Sequence, residues 1–551
     1  MAGRPSDAPP EPGALRGPLR PLLWLLLAAA GGLVWALQFE PRPLAVAPWL
    51  ALSPLVLLLS ARRAGLLAFV HGLVSWLAAL SWIAPTLVTF GGIPKPLSVA
   101  LLALLCAYLA LFHAAFGWLG APLWRRGGLL PFAALPALWV ALEWLRTYLG
   151  GGFPWNLAAY AWVAVPGALP ISSWIGAYGV SFFVVLAATS VAAAVVRRRW
   201  EPLAAGILIP LLVLVVAGRA AADRGAGRPA PWPHPVFAAA DDATGAEDEG
   251  AASRIGDPET EVSSLAEPAA PIRLVQPNIA NLRAYDEAAV QASYRRLLRM
   301  TRPLCEQGTL VVWPESAAWP YSFDRDPPFA RDARALVARG CSLIFNSTHE
   351  VGDTIFNSAY LLSPTGTIAR YDKRHLVPFG EYVPFRDVFS FVRKLAREAG
   401  TFQAGSGVHL LAWGRERLGM SICYEVVFPA EVAELVRGGA TILVTITNDA
   451  WYGDTAAPWQ HLRAARFRAA ESRRPMLRAA ITGVSALIAP DGSIAAELPL
   501  FRQGVIRARV AGRTVLTPYT RHPALVPALC TLLAALAIGA LRRRKPRAGP
   551  E

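Results

Sequence analysis

The sequence predicts a polytopic α-helical membrane domain of eight spans joined to a layered α/β domain. Three observations predict it. The 551-residue chain is 54% hydrophobic and only 17% charged, too apolar a balance for a soluble enzyme. Seven apolar stretches fill the first 218 residues, and an eighth occupies 523–541. Between them, from Pro271, short β-like runs alternate with helical stretches, the pattern of an α/β sandwich.

The apolar stretches run over 21–37, 44–60, 65–84, 97–120, 129–148, 168–196 and 202–218. Several approach the ~20 residues that a spanning helix needs. Arg16 and Arg20 precede the first, Arg62-Arg63 follow the second, Arg125-Arg126 the fourth and Arg197-Arg198-Arg199 the sixth. Arg542-Arg543-Arg544-Lys545 follow the eighth, in a basic tail over 542–551. The connections between, such as 85–96 and 149–167, are nearly free of charge. Alternating basic connections place both termini in the cytoplasm and 219–522 outside it. The net charge of +15 therefore reads as a topology signal, not as a nucleic-acid surface. The small-residue site Ala45-Val46-Ala47 is followed by proline and more spans, so the first stretch reads as an uncleaved anchor. Glu143 and Arg146, three apart on the fifth span, share a helix face and can pair. Ionisable groups at that depth point to function, or to an ion pair between helices.

Residues 219–270 are rich in Ala, Pro, Gly, Asp and Glu, the composition of a disordered acidic linker. The α/β domain, 271–522, reads as strands at Ile272–Val275, Leu310–Trp313, Ser342–Phe345, Ala359–Ser363, Thr367–Tyr371, Val408–Trp413 and Leu418–Ile422, then at 441–446, 484–489 and 505–510. Helices are read at 286–304, 329–339, 429–438 and 457–473. Cys305 and Cys341 each precede a strand and can pair if those strands are neighbours; separate buried thiols are the simpler expectation. No clustered His, Cys or acidic spacing marks a metal site, and no cofactor is expected.

Three groups stand at strand ends or in the loops that follow: Glu315, Lys373 and Cys423. Acyl transfer through a thioester needs a thiolate, a base to generate it and donors for the tetrahedral oxyanion. A desolvated carboxylate, a lysine, a cysteine and the backbone N–H after it supply those parts. Each alone has an ordinary reading as a core thiol or a solvated charge.

Longer motifs surround them. They are Trp313-Pro314-Glu315, the block from Tyr371-Asp372-Lys373 through Val383-Pro384, Ile422-Cys423-Tyr424-Glu425, and Asn448-Asp449-Ala450-Trp451-Tyr452-Gly453-Asp454 continuing to Pro458-Trp459-Gln460-His461. From about 272 to 512 the chain resembles the nitrilase, or carbon–nitrogen hydrolase, superfamily. With its spans it resembles the bacterial apolipoprotein N-acyltransferases. The resemblance implies an αββα sandwich with Cys423 as nucleophile, Glu315 as general base then acid, and Lys373 as oxyanion stabiliser. It implies supporting roles for Glu381, Tyr424 and Glu425. The implied reaction is ping-pong, from a phospholipid such as phosphatidylethanolamine, through a Cys423 thioester, to the α-amino group of a diacylglyceryl-modified apolipoprotein cysteine. Phe153, Trp155, Trp451 and Tyr452 are then candidate lid or acyl-channel residues. Tyr285 stands where the family usually has tryptophan, and Ile481-Thr482-Gly483 where it commonly has Asn-Asn-Gly or Asn-Thr-Gly. His375 and His461 are read as structural hydrogen-bonding residues. Arg374 and the arginines from Arg463 to Arg478 are read as solvated or facing lipid headgroups. The implied site is a multi-pass bacterial inner membrane with the catalytic domain on its periplasmic side. The rival readings are a membrane-anchored amidase, a non-catalytic lipoprotein-binding scaffold and a transporter with an appended domain.

Overall fold

A computed structural model describes residues 20–41, 48–89, 91–198, 269–279, 286–378, 380–382 and 402–543, with scattered positions between 200 and 216. The linker up to residue 268, Tyr285, most of the stretch 202–218 and the tail from Arg544 lie outside the described residues.

The membrane domain contains helices α1 (Arg20–Ala36), α2 (Ser53–Leu57), α3 (Ala64–Ala79), α4 (Ile83–Thr89), α5 (Lys95–Arg126), α6 (Leu130–Arg146) and α7 (Ala168–Arg197). Among the described residues, four helices are long and apolar enough to cross a membrane: the first, α5, α7 and Leu525–Arg543 near the C-terminus. The count rises to five if α3 and α4, bent by 47°, form one span. The eight expected spans differ from this in two described places. The second stretch holds only the short α2 followed by a 3-10 turn at Leu58–Ser60. The fifth forms the 17-residue α6, with Pro136 inside it. Exposed leucines such as Leu26, Leu104, Leu111 and Leu536 face outward from the bundle, as a lipid-facing surface requires.

Glu143 and Arg146 do not pair with each other. Glu143 Oε1 accepts the Ala158 N–H at 2.7 Å, and Arg146 donates to the Trp155 carbonyl at 3.0 Å. Both residues thus grip the connection after α6.

Among its described residues the α/β domain has twelve strands: β1 (Ala270–Gln276), β2 (Leu310–Val312), β3 (Ser342–Val351), β4 (Thr354–Leu362), β5 (Ile368–Asp372), β6 (Leu410–Trp413), β7 (Glu416–Ile422), β8 (Ile442–Thr447), β9 (Met476–Ala480), β10 (Ser485–Ile488), β11 (Ile494–Leu498) and β12 (Gly504–Val510). Its helices are α8 (Glu287–Thr301), α9 (Pro327–Val337), α10 (Pro429–Arg437), α11 (Ala457–Ser472) and α12 (Pro518–Arg521); α13 (Leu525–Arg543) follows. The strands form two six-stranded sheets, ordered β12-β1-β2-β3-β4-β5 and β11-β10-β9-β8-β7-β6. Each has a parallel centre, β1-β2-β3 and β7-β8-β9, with antiparallel flanks.

The sheets stack through one apolar layer, in which Leu274, Val312 and Ile344 meet Met420, Val444 and Leu477. Outside the first sheet, α8 and α9 bury Leu297, Phe329 and Leu336 against Val311 and Phe345. Outside the second, α10 and α11 bury Val432 and Phe467 in a core continuous with the membrane bundle. Four layers result, and α11 is enclosed on both sides. Burial corrects the reading of the late arginines: Arg463 and Arg468 on α11, Arg474 just after it and Arg478 on β9 are all buried. They are held by Gln38 and Glu40 carbonyls, by Glu471, by Ala440 and Val515 carbonyls, and by Asp449 respectively.

The expectation of separate thiols at Cys305 and Cys341 is also overturned. β2 and β3 are parallel neighbours in the register Leu310↔Ser342. That brings the two cysteines, with Cα atoms 4.7 Å apart, into a disulfide.

Candidate active site

Parallel strands deliver their following residues to one end of a sheet, where α/β proteins place their chemistry. Glu315 follows β2, Lys373 follows β5, Cys423 follows β7 and Asn448 follows β8. The stacked sheets bring these ends together, and all four residues are buried.

Lys373 Nζ lies 2.9 Å from Glu381 Oε1 and 3.7 Å from Glu315 Oε1. Asn357, on β4, bridges the carboxylates by donating to Glu315 at 3.0 Å and to Glu381 at 2.6 Å. The Asn448 N–H donates to Glu315 Oε2 at 3.0 Å. Burial pushes the Glu315 carboxyl up from its ordinary value; Lys373 opposes this and Glu381 adds to it. Burial works against the Lys373 charge, but Glu381, Glu315 and Cys423 outweigh it and raise its pKa. The lysine therefore stays cationic while Glu315 is poised to hold a proton.

Cys423 has a left-handed backbone, φ 52°, a conformation that costs a non-glycine residue on the order of 1–2 kcal/mol. Glu425 sustains the turn. Its Oε2 accepts the Ile422 N–H at 2.6 Å, while Oε1 accepts the Tyr371 hydroxyl at 2.8 Å and the N–H groups of Arg374 and His375 at 2.6 and 3.1 Å. One carboxylate thus ties the cysteine turn to the lysine segment. Burial raises the Cys423 thiol to about 12, with Glu315 adding to the rise and Lys373 opposing it. At neutral pH the group is a thiol that needs a base.

The membrane domain supplies one wall. Trp155, in the loop after α6, stacks on Tyr424 and on His461 at centroid distances of 6.3 and 5.7 Å. Phe153 stacks on Trp155 at 6.2 Å, and Tyr452 meets Trp155 and Trp82 edge-on. Trp155 Nε1–H donates to Gln460 at 2.7 Å, Gln460 donates to the Ala79 carbonyl at 3.0 Å, and the Tyr424 hydroxyl donates to the Gly152 carbonyl at 3.2 Å. The Trp451 carbonyl accepts from Thr86 on α4 at 2.9 Å. Of the sequence-selected residues, Phe153, Trp155, Trp451, Tyr452, Glu381, Tyr424 and Glu425 are gathered around or against this site.

His375 and His461 hydrogen-bond as expected. His375 Nδ1 meets Glu431 at 2.8 Å, and Nε2 meets the Gly151 carbonyl at 3.2 Å. His461 Nε2–H donates to the Cys423 carbonyl at 3.0 Å. Arg374 is ion-paired with Glu434 at 2.8 Å. Sequence reasoning missed Asn357, Thr447 and the buried Asp449–Arg478 pair. Asn357 gives no sequence signal, because only the β3-β4 hairpin brings it to Glu315. No group of three or more His, Cys, Asp or Glu among the described residues is arranged to hold a metal ion.

The carbon–nitrogen hydrolase family model matches residues 272–519, and the model of the apolipoprotein N-acyltransferase N-terminal domain matches 31–190. An apolipoprotein N-acyltransferase of Geobacter metallireducens is 33% identical over 537 residues, covering 94% of this chain and 95% of that protein. The enzyme of the same name from Vibrio cholerae is 32% identical, covering 90% and 92%. Among solved structures, a CN-hydrolase superfamily protein from Xanthomonas campestris aligns at 21% identity and TM-score 0.34, covering 47% of this chain and 97% of its own. The two family models and the near-complete relatives span both domains, so the chain belongs to the apolipoprotein N-acyltransferase family, within the carbon–nitrogen hydrolase superfamily.

Proposed function

We propose that the chain transfers a fatty acyl group from a membrane phospholipid, through a thioester on Cys423, to the α-amino group of the diacylglyceryl-cysteine of apolipoproteins. Its family makes it an acyltransferase of lipoprotein maturation and an integral membrane protein. The observation that carries the mechanism is the convergence of Glu315, Lys373 and Cys423 from three strand ends into one buried, mutually charged cluster.

In the first half-reaction Glu315 takes the Cys423 proton as sulfur bonds to the ester carbonyl carbon. Lys373 and the Tyr424 N–H hold the oxyanion. Collapse breaks the carbon–oxygen bond, and Glu315 returns the proton to the departing lysophospholipid alkoxide. In the second, the acceptor amine attacks the thioester carbonyl, Glu315 takes the amine proton, the carbon–sulfur bond breaks and the proton returns to Cys423. General base action of this kind is worth roughly 10²–10⁴-fold. Glu381, held at Lys373, and Glu425, held across the cysteine turn, position these groups. Phe153, Trp155, Trp451 and Tyr452 form the apolar wall for the acyl chain, and Tyr285, outside the described residues, is a candidate substrate-binding residue. Phosphatidylethanolamine is the donor we assign.

We place residues 271–522 on the periplasmic side with both termini cytoplasmic, and count eight spans. The alternating arginine clusters support this. So does the Cys305–Cys341 disulfide, since such bonds persist in oxidising compartments. Intact mass spectrometry of protein purified with phospholipid tests the reading. A hydroxylamine-labile acyl mass is expected on the wild type and not on Cys423→Ala, and a diacylated lipopeptide should discharge it. No adduct on reduced wild-type protein would remove the nucleophile assignment. Discharge by water alone would favour the amidase.

A further inference from the structure

We propose that Thr447 is a further catalytic residue, whose hydroxyl turns from Asp449 to the Cys423 sulfur whenever that sulfur carries negative charge. Thr447 ends β8 and is fully buried. Its Oγ1 lies 2.7 Å from Asp449 Oδ1 and 3.3 Å from Cys423 Sγ. A hydroxyl has one proton to donate, so it serves one of these acceptors at a time. A neutral thiol is a weak acceptor and a carboxylate a strong one, so in the resting enzyme the proton points at Asp449. Once the Cys423 proton has gone to Glu315, the sulfur is an anion that competes for the same donor.

The surroundings permit the turn. Arg478 stays 2.7 Å from the other oxygen of Asp449, so that carboxylate keeps a cation when the hydroxyl leaves it. Asp449 accordingly has no need to capture a proton: burial alone would raise its pKa, but Arg478 foremost holds it below the ordinary value. His461 donates from Nε2 to the Cys423 carbonyl at 3.0 Å and accepts at Nδ1 from Arg478 at 3.2 Å. Its 3.4 Å approach to Asp449 is therefore between two acceptors, not an ion pair. The other groups facing the sulfur are Glu315 after β2, Lys373 after β5 and Tyr452 in the turn after Asn448. Lys373 is already engaged by two carboxylates. The Tyr452 hydroxyl also reaches the sulfur, and Thr447 supplies a second hydroxyl donor there, one that is shared with a carboxylate in the resting enzyme.

The turn consumes no net proton. On thioester formation the sulfur loses its charge and the hydroxyl returns to Asp449. When the amine expels the thiolate, the hydroxyl swings back until Glu315 reprotonates the sulfur.

The inference rests on Cys423 as the nucleophile, and the experiment separates the two. Full-length wild type, Thr447→Ser and Thr447→Val in phospholipid micelles are followed by intact mass for the rate of acyl-enzyme formation against pH. Iodoacetamide alkylation of the Cys423 peptide is followed in parallel. The valine variant is expected to acylate about 10- to 100-fold more slowly, with its alkylation rate lowered by a similar factor at every pH measured. Serine should restore both to within a few-fold. Wild-type rates in Thr447→Val would overturn the inference, and so would a serine variant as impaired as valine, which would indicate packing. Turnover surviving in Cys423→Ala would instead overturn the nucleophile reading.

Discussion

Glu315 and Glu425 are both buried carboxylates, yet their partners set them to different work. Glu315 shares its surroundings with a second carboxylate and one lysine, and burial leads its rise. An ordinary glutamate ionises near about 4.3; the native state of this one binds its proton more tightly than the unfolded chain does. Glu315 therefore lowers stability at neutral pH, and that cost fades as pH falls through its raised value. For catalysis the sign reverses, because a base must be ionised. We expect acyl-enzyme formation to rise with pH along a limb above the usual carboxylate range, and Glu315→Gln to abolish it; a limb at ordinary glutamate values would contradict the assignment. Glu425 accepts four hydrogen bonds across the site. In Glu425→Gln an amide nitrogen faces those donors, at a cost of about 1–3 kcal/mol. Thermal unfolding in detergent should fall measurably, and acylation should slow at least about tenfold as the lysine segment loosens. Unchanged melting and rate would show that the clamp is dispensable.

At the scale of elements, α11 joins the catalytic domain to the bundle. Glu471 accepts from Arg468 at 2.6 Å and from the Ala177 N–H at 2.7 Å, where α7 is kinked at Gly176 with φ 67°. A Cβ at Gly176 would meet the Tyr519 ring at 2.5 Å, so the kink, α12 and α11 interlock. Removing one member of a buried pair strands the other charge, at roughly 3–5 kcal/mol. Glu471→Leu should therefore destabilise strongly, and Arg468→Met combined with it should be less harmful than the sum of the singles. Additive losses in a double-mutant cycle on detergent unfolding would exclude that coupling. The loop after α6 acts on the active site itself. Trp155→Ala removes the ring between Tyr424 and His461, and is expected to slow acyl transfer while leaving iodoacetamide reactivity of Cys423 within a few-fold. Equal loss of both would mean that the ring only supports the cysteine turn.

For the molecule as a whole, the continuous core between bundle and second sheet means that the site is assembled from both domains. The proposed periplasmic placement of the α/β domain would put its disulfide in an oxidising space. In intact spheroplasts, a membrane-impermeant maleimide should label a Val351→Cys variant, at an exposed position of the same domain, without permeabilisation. Labelling that requires permeabilised membranes would reverse the proposed topology.

The sequence by itself determined the two-domain plan, the apolar bundle, the alternating arginines and the three strand-end residues. These are local signals: composition, charge spacing, and short motifs on runs whose periodicity survives without knowledge of neighbours. Tertiary structure alone decided what depends on residues far apart in the chain. The late arginines read as solvated or facing lipid headgroups, but Arg463 and Arg468 on α11, Arg474 just after it and Arg478 on β9 are covered by packed layers, and each cation found a carbonyl or carboxylate there. Cys305 and Cys341 met because β2 and β3 run parallel in register. Asn357 reached Glu315 through a hairpin, and Thr447 reached Cys423 because β7 and β8 are neighbours. A buried polar group must find its partner wherever the fold brings one, and one-dimensional spacing does not encode that pairing.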